Sequence, residues 1–273
     1  FWSGRWAWRW CGGGCGGRAW RDFNMREIDV RAQLLVAGCC LVASASAGAQ
    51  GKASASAGTM RVSFATDVVG REPKSFAPMV GTWVVTKESG RKVLFIDGRV
   101  WKRGQPAGGL ADKARELYGA RNEEFIESVK AFAYFPIAVF KGLDNFENGD
   151  VSVRFQMVGG ALDRCAGVLF NVKANGDYLT VRYNGTEDNL VLWTFNNGVR
   201  KFVKRAPETV PLELGTWHTI RVSVHGTALQ GYLDDKLLLE YTLSEPVSGK
   251  IGVWSKTDSM VEFDDFTVTP VSK

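Results

Sequence analysis

The stretch that decides the fold is NGDYLTVRYNGTEDNLVLWTFNNGVRKFV, residues 175–203. It alternates in steps of two. In the first run Leu179, Val181 and Tyr183 face one way, and Tyr178, Thr180, Arg182 and Asn184 the other. In the second, Leu190, Leu192 and Thr194 oppose Asn189, Val191, Trp193 and Phe195. A period of two belongs to a strand, whose successive side chains point to opposite faces of a sheet. Asn175-Gly176-Asp177 and Asn196-Asn197-Gly198 are hairpin turns of the Asn-Gly type, with a tight loop at 185–188 between the runs, and 199–203 pairs back. The leucine sets are core material. The other set puts Arg182 on a face that cannot be a sandwich interior, because a buried guanidinium needs a partner. That face is expected to line a groove, or to be a solvated surface with Trp193 covered by a helical insertion at 110–131.

The same pattern extends outward. Residues 150–156 alternate Val151, Val153 and Phe155 with Ser152, Arg154 and Gln156, while 166–172 are continuously apolar, as in a central strand. Runs at 217–224, 231–233, 236–241, 251–254 and 261–268 bring the set to about ten strands with turn signals at short intervals. This spacing predicts an all-β jelly-roll sandwich of two antiparallel sheets. Upstream, Val62-Ser63-Phe64, Trp83-Val84-Val85 and 92–95 are short β-like runs, separated by Gly70, Pro73, Pro78, Gly81, Gly90 and Asp97-Gly98. LADKARELYGARNEEFIESVKA (110–131) differs, with Leu110, Ala114, Leu117, Phe125, Ile126 and Val129 at helical spacing. It is expected to be a short helical insertion on one edge, divided in two at Gly119.

The 273 residues carry a net charge of +5 and 45% hydrophobic residues, an ordinary globular composition. Six arginines but only three acidic residues fall within 1–49, so little net charge belongs to the rest and no basic stripe points to nucleic acid. Residues 1–24 mix Gly, Trp and Arg without an apolar period and are read as in-frame translation of upstream G-rich DNA, the alternative being a membrane-active Trp/Arg segment. Residues 25–49 have the form of a signal peptide. Arg26 and Arg31 precede an apolar run at 32–42, too short to span a bilayer, and Ala-Ser-Ala and Ala-Gly-Ala cleavage sites follow. The mature chain is then exported, periplasmic or extracellular, with no transmembrane helix; a lipobox-like Val36-Ala37-Gly38-Cys39 offers lipid anchoring at Cys39 instead. Residues 50–60 are a flexible linker and 61–270 the domain. Of the five cysteines only Cys165 lies in that domain, so it holds no internal disulfide, and Cys165 reads as a small buried hydrophobe.

Chemistry-bearing motifs are sparse. There is no HExxH, CxxC pair, GxSxG or P-loop. His218 and His225 lie on opposite strand faces, more than ~20 Å apart, and cannot share a metal. Carboxylates remain. Glu262 and Asp264 share a strand face about 7 Å apart, between retaining and inverting glycosidase separations. The Asp264-Asp265 doublet suits a strand bulge or a Ca²⁺ ion; no other cofactor is expected.

Gly215-Thr216-Trp217-His218-Thr219-Ile220-Arg221-Val222, followed by Gly231-Tyr232-Leu233-Asp234-Asp235-Lys236, resembles the laminin-G and concanavalin-like superfamily. Residues 248–259 (SGKIGVWSKTDS), Phe263-Asp264-Asp265, Asp163-x-x-Ala166-Gly167 and Arg182-x-Asn184-x-x-Glu187-x-Asn189 resemble its exported bacterial branch. That branch is grouped as domain of unknown function 1080, or 3-keto-disaccharide hydrolase-like. Residues 262–267 also resemble the Glu-x-Asp-x-x-Glu strand of laminarinase-like glucanases, but lack the second Glu. The resemblance implies that Arg182, Asn184, Glu187, Asn189, Trp193, Trp254, Lys256 and Asp258 share one rim, where indoles and polar groups would suit an oligo- or polysaccharide. Three roles follow: a non-catalytic carbohydrate-binding sandwich, a glycoside hydrolase with Glu187, Asp258, Glu262 or Asp264 as acid and base, or a structural domain whose polar cluster is a buried ion-pair network. Asn184-Gly185-Thr186 also matches a glycosylation acceptor and is taken as coincidental.

Overall fold

The computed structural model describes residues 58–128, 133 and 135–271. The upstream segment 1–24, the expected export signal 25–49, Cys39 and the expected linker up to residue 57 lie outside the described residues. Strands β1 (Met60–Arg61), β2 (Phe76–Val80), β3 (Trp83–Glu88) and β4 (Arg91–Asp97) precede helices α1 (Leu110–Tyr118) and α2 (Asn122–Glu127). Next come β5 (Ile137–Phe140), β6 (Gly149–Gly159), β7 (Cys165–Val172), β8 (Tyr178–Asn184), β9 (Asn189–Asn196) and β10 (Val199–Arg205). The last are β11 (Trp217–His225), β12 (Ala228–Leu233), β13 (Lys236–Thr242), β14 (Lys250–Ser255) and β15 (Met260–Pro270).

Two antiparallel sheets form a sandwich. One runs β13-β12-β11-β6-β15-β4-β3, with β1 on the far half of β15; the other runs β10-β9-β8-β7-β14-β5-β2. The main core lies between them and collects the alternating apolar sets: Val181 and Tyr183 from β8, Leu190 and Leu192 from β9, Val153 and Phe155 from β6. The turn at Asn197-Gly198 has φ of 48° and 74°, the primed geometry that matches strand twist and that Asn-Gly tolerates. In β15 the inward set is Val261 and Phe263, then Phe266 and Val268, so the pattern slips by one. The backbone absorbs the slip as a bulge between Asp264 and Thr267, with Asp265 at φ 49°.

A second apolar cluster sits on the outer face of the seven-stranded sheet. Ala114 and Leu117 of α1 and Phe125 of α2 pack over Met79, Ile137, Val139, Leu169 and Trp254. Gly119 ends α1 at φ 53°, dividing the helical segment there. No helix among the described residues is long and apolar enough to cross a membrane.

Several expectations are corrected. Residues 62–64 form no strand; only Met60 and Arg61 pair with β15, although the Val62 N–H donates to Phe266 O at 2.8 Å. Met60 pairs with Val268, so the domain begins within the segment read as linker. Pro78, read as a turn residue, lies inside β2; this is an edge strand, where a missing N–H is tolerated. Cys165 is buried, and burial pushes its thiol up to about 12.

Gly252 lies in β14 between β5 and β7, where a Cβ would stand 2.1 Å from the carbonyl oxygen of Ala138. Gly252→Ala therefore forces β5 away from β14. It should destabilise the domain by about 1–3 kcal/mol, read as a lower urea midpoint.

Candidate functional site

The helices cover the β2-β5-β14-β7 side of the outer face, leaving the β8-β9-β10 side to polar and aromatic residues. In register across the sheet stand Trp254, Gly167, Arg182 and Val191. Gly167 leaves room for the Arg182 stem; a Cβ there would be 3.0 Å from the Arg182 Cβ. Arg182 is only 2% exposed, so its charge must be met inside the protein. Nη1 donates to Asn189 Oδ1 at 2.7 Å and Nη2 to Glu187 Oε2 at 2.9 Å. Asn189 Nδ2 in turn donates to the Glu187 carbonyl and to Glu187 Oε2, both at 3.1 Å. Burial pushes the Glu187 carboxyl up, but the bonds and charge from Arg182, with Asn189 and Lys256, outweigh it and hold it below the usual range.

A second knot adjoins the first. Lys256 Nζ donates to Asp163 Oδ1 at 2.8 Å and Asn184 Nδ2 to the same atom at 3.1 Å. Asn184 is fully buried, and its Oδ1 accepts from Thr186 N and Oγ1, so it is no accessible glycosylation acceptor in the folded domain. The Asp258 carboxylate accepts from the N–H groups of Ala161, Leu162 and Asp163, at 2.8 Å, 3.0 Å and 3.0 Å at the shortest. It fastens the 160–163 loop to the corner after β14, which explains why that corner is so polar.

The expected rim is therefore assembled, but most of it faces inward. Trp254 is 2% exposed, with Nε1 directed at Tyr178 Oη, and offers no ring face for stacking. Trp193 is covered by the Arg200 guanidinium, 3.7 Å from its ring centroid, rather than by the helices. Arg182, Asn184, Asn189 and Asp258 are engaged by neighbouring side chains or the backbone.

The open space lies beside them. A cleft of 610 Å³ is lined by Trp101, Arg103, Phe135, Phe195, Arg200 and Lys256, with Gly198, Val199 and Thr257. The β9–β10 turn delivers Arg200 opposite Phe195. Phe135 meets Phe195 edge-on at 6.2 Å and Trp254 at 5.1 Å, and Trp101 Nε1 donates to Gln105 O at 3.0 Å, so the aromatic walls are fixed. Arg200 Cζ lies 5.3 Å from the Phe135 ring centroid. Burial, followed by the like charge of Arg182, lowers its pKa. Of these residues only Lys256 belongs to the set expected from sequence. Arg200 and Phe195 flank an Asn-Gly turn, a signal that could have found them; Trp101 and Phe135 come from irregular segments with no period.

Glu262 and Asp264 lie on the outer face of the other sheet, whereas Glu187 is in the β8–β9 loop and Asp258 in the corner between β14 and β15. Asp264 Oδ2 accepts from Arg91 at 2.5 Å, and Asp265 Oδ2 from Arg154 at 3.3 Å. The doublet is thus a bulge whose Oδ2 atoms are each held by a guanidinium group; among the described residues no group of three or more His, Cys, Asp or Glu is placed to hold a metal ion. Glu262 is 9% exposed and pairs in register with Gln156 at 7%. Glu262 Oε2 and Gln156 Oε1 both lack partners. Burial and then Glu88 raise the Glu262 pKa; burial, the leading cause, also raises that of Asp264.

No protein-family model matches the chain, and no curated protein matches it. Among solved structures, the carbohydrate-binding module CBM66 from Bacillus subtilis is similar at 12% identity and a TM-score of 0.50, the match covering 71% of this chain and 95% of that one. A protein of unknown function with a galectin-like fold from Bacillus subtilis matches at 10% identity and 0.47, covering 73% and 91%. Bacillus licheniformis β-glucanase matches at 10% and 0.46, covering 78% and 98%. At such identities the likeness to the first is one of fold, a jelly-roll sandwich.

Two substitutions test this reading. Asp258→Ala strands three backbone N–H groups and should cost about 1–2 kcal/mol in urea unfolding. The Asp258 pKa is lowered, because the backbone bonds outweigh the burial that raises it. Its stabilisation is therefore present above the unfolded aspartate range near about pH 4 and lost as pH falls through the folded value. Glu262→Gln has the opposite sign. The folded pKa is raised, so the ionised group destabilises at neutral pH and ceases to do so below the unfolded glutamate range. The variant should raise the melting temperature at pH 7 and lose that advantage by about pH 4.

Proposed function

We propose that this domain is an exported, lectin-like module that holds an oligo- or polysaccharide in the Trp101–Phe135–Arg200 cleft without reacting with it. The carrying observation is the cleft itself, where aromatic walls stand beside guanidinium and ammonium donors. A sugar presents an apolar ring face and a rim of hydroxyls, which this combination matches. The neighbouring carboxylates support binding over catalysis: Glu187, Asp163 and Asp258 are each engaged by hydrogen bonds and none lines the cleft. The module nature of the Bacillus subtilis CBM66 fold neighbour agrees with this role. The signal-peptide-like form of residues 25–49 supports export to the periplasm or exterior.

A glycoside hydrolase of the 3-keto-disaccharide type is the second reading. One observation favours it: the raised Glu262 carboxyl, with a partnerless oxygen, beside Asp264 on one face. Under that reading Glu262→Gln abolishes sugar release from disaccharide substrates.

A glycan array with the full chain should give specific binding. Trp101→Ala and Phe135→Ala should each weaken it by about tenfold, roughly 1–2 kcal/mol. Uniformly negative arrays, or binding unchanged in both variants, would refute the cleft as a sugar site.

A further inference from the structure

Three cations, Arg103, Arg200 and Lys256, line the cleft, and no acidic side chain does. Their situations differ. Lys256 is neutralised by Asp163 at 2.8 Å. Arg182, just beneath, is neutralised by Glu187 at 2.9 Å. Arg200 is held by rings: Trp193 at 3.7 Å and Phe135 at 5.3 Å. Among the described residues no carboxylate lies within ion-pair distance of it.

The aromatic contacts fix how this guanidinium can act. With two rings beside it and no carboxylate in reach, its N–H groups form the bonding surface, a fork matched to a planar anion. Withdrawal of Arg200 from water beside the like charge of Arg182 makes the empty site electrostatically unfavourable, and an incoming negative group relieves this. A neutral hydroxyl can accept the same hydrogen bonds, but leaves the charge uncompensated.

We infer that the saccharide taken by this cleft is acidic, carrying a carboxylate or sulfate that the Arg200 guanidinium receives. This rests on the cleft being a saccharide site, and it adds the chemical class of the ligand.

The test uses the full chain and glycans in pairs differing only in charge: polygalacturonate against its methyl ester, alginate against its carboxyl-reduced form, and heparin against its desulfated, N-acetylated form. Calorimetry should show at least one charged member bound about tenfold or more tighter than its masked partner, the scale of one charge-assisted contact. That affinity should fall as salt rises from 50 to 500 mM. Uronate and sulfate pairs tell the two anion sources apart. Arg200→Gln should abolish the preference for the charged member, Arg200→Lys should restore part of it, and exposed Lys201→Gln should leave it unchanged. Melting curves establish that each variant is folded, and the wild-type salt dependence stands whether or not they are. Equal binding of charged and neutral members, or Arg200→Gln retaining the preference, overturns the acidic ligand while leaving the sugar site intact. Absence of binding to every member and to neutral glycans removes the sugar site itself, and the inference with it.

Discussion

The site is organised around one buried charge. Arg182 lies in the middle strands of a sheet, 2% exposed, and a guanidinium there persists only if its hydrogen bonds are met. Gly167 gives it space, Asn189 and Glu187 give it acceptors, and the short β8–β9 loop exists in a form that brings Glu187 back over it. The Glu187 side chain is 40% exposed, so the pair is partly screened and its worth is moderate. Its consequence is larger than its strength. With Glu187 committed to Arg182, the second arginine of this face, Arg200, has aromatic rings for neighbours and no acid.

The two outer faces of the sandwich are built differently. On the seven-stranded sheet, α1 and α2 cover one side with apolar residues and stop short of β9 and β10, and the cleft opens at that boundary between Phe135 and the Asn197-Gly198 turn. On the eight-stranded sheet no helix among the described residues covers the carboxylates. There, Asp264 and Asp265 are bound by Arg91 and Arg154, and Arg154 also lies 5.0 Å from the Trp217 ring. One face thus holds an arginine, Arg200, packed on rings rather than on a carboxylate, while the other holds anions clamped by cations.

Much of the fold was legible because alternation carries it. Tyr178–Asn184 has the same limits in sequence and structure, and Gly119 divides the helical segment as its position suggests. The failures have local causes. Pro78 reads as a turn until the sheet order makes β2 an edge. Residues 62–64 have strand-like composition but only one bond to β15. In the site, spacing gave the shared face of Arg182, Asn184, Asn189 and Trp193, but could not say which polar groups would be mutually satisfied. Asp258 and Trp254 read as ligand groups, but backbone hydrogen bonds make Asp258 a support and burial does the same for Trp254. Trp101 and Phe135 come from loops far apart in the chain, and only the packing of the helical segment brings them together.

Hydrogen–deuterium exchange with and without the tightest-binding glycan tests the account most directly. Protection should appear at 101–105 and 195–203, the cleft walls, and leave 84–95, 154–156 and 262–265 unchanged. Protection confined to those eight-stranded-sheet segments, with none around Arg200, would contradict it.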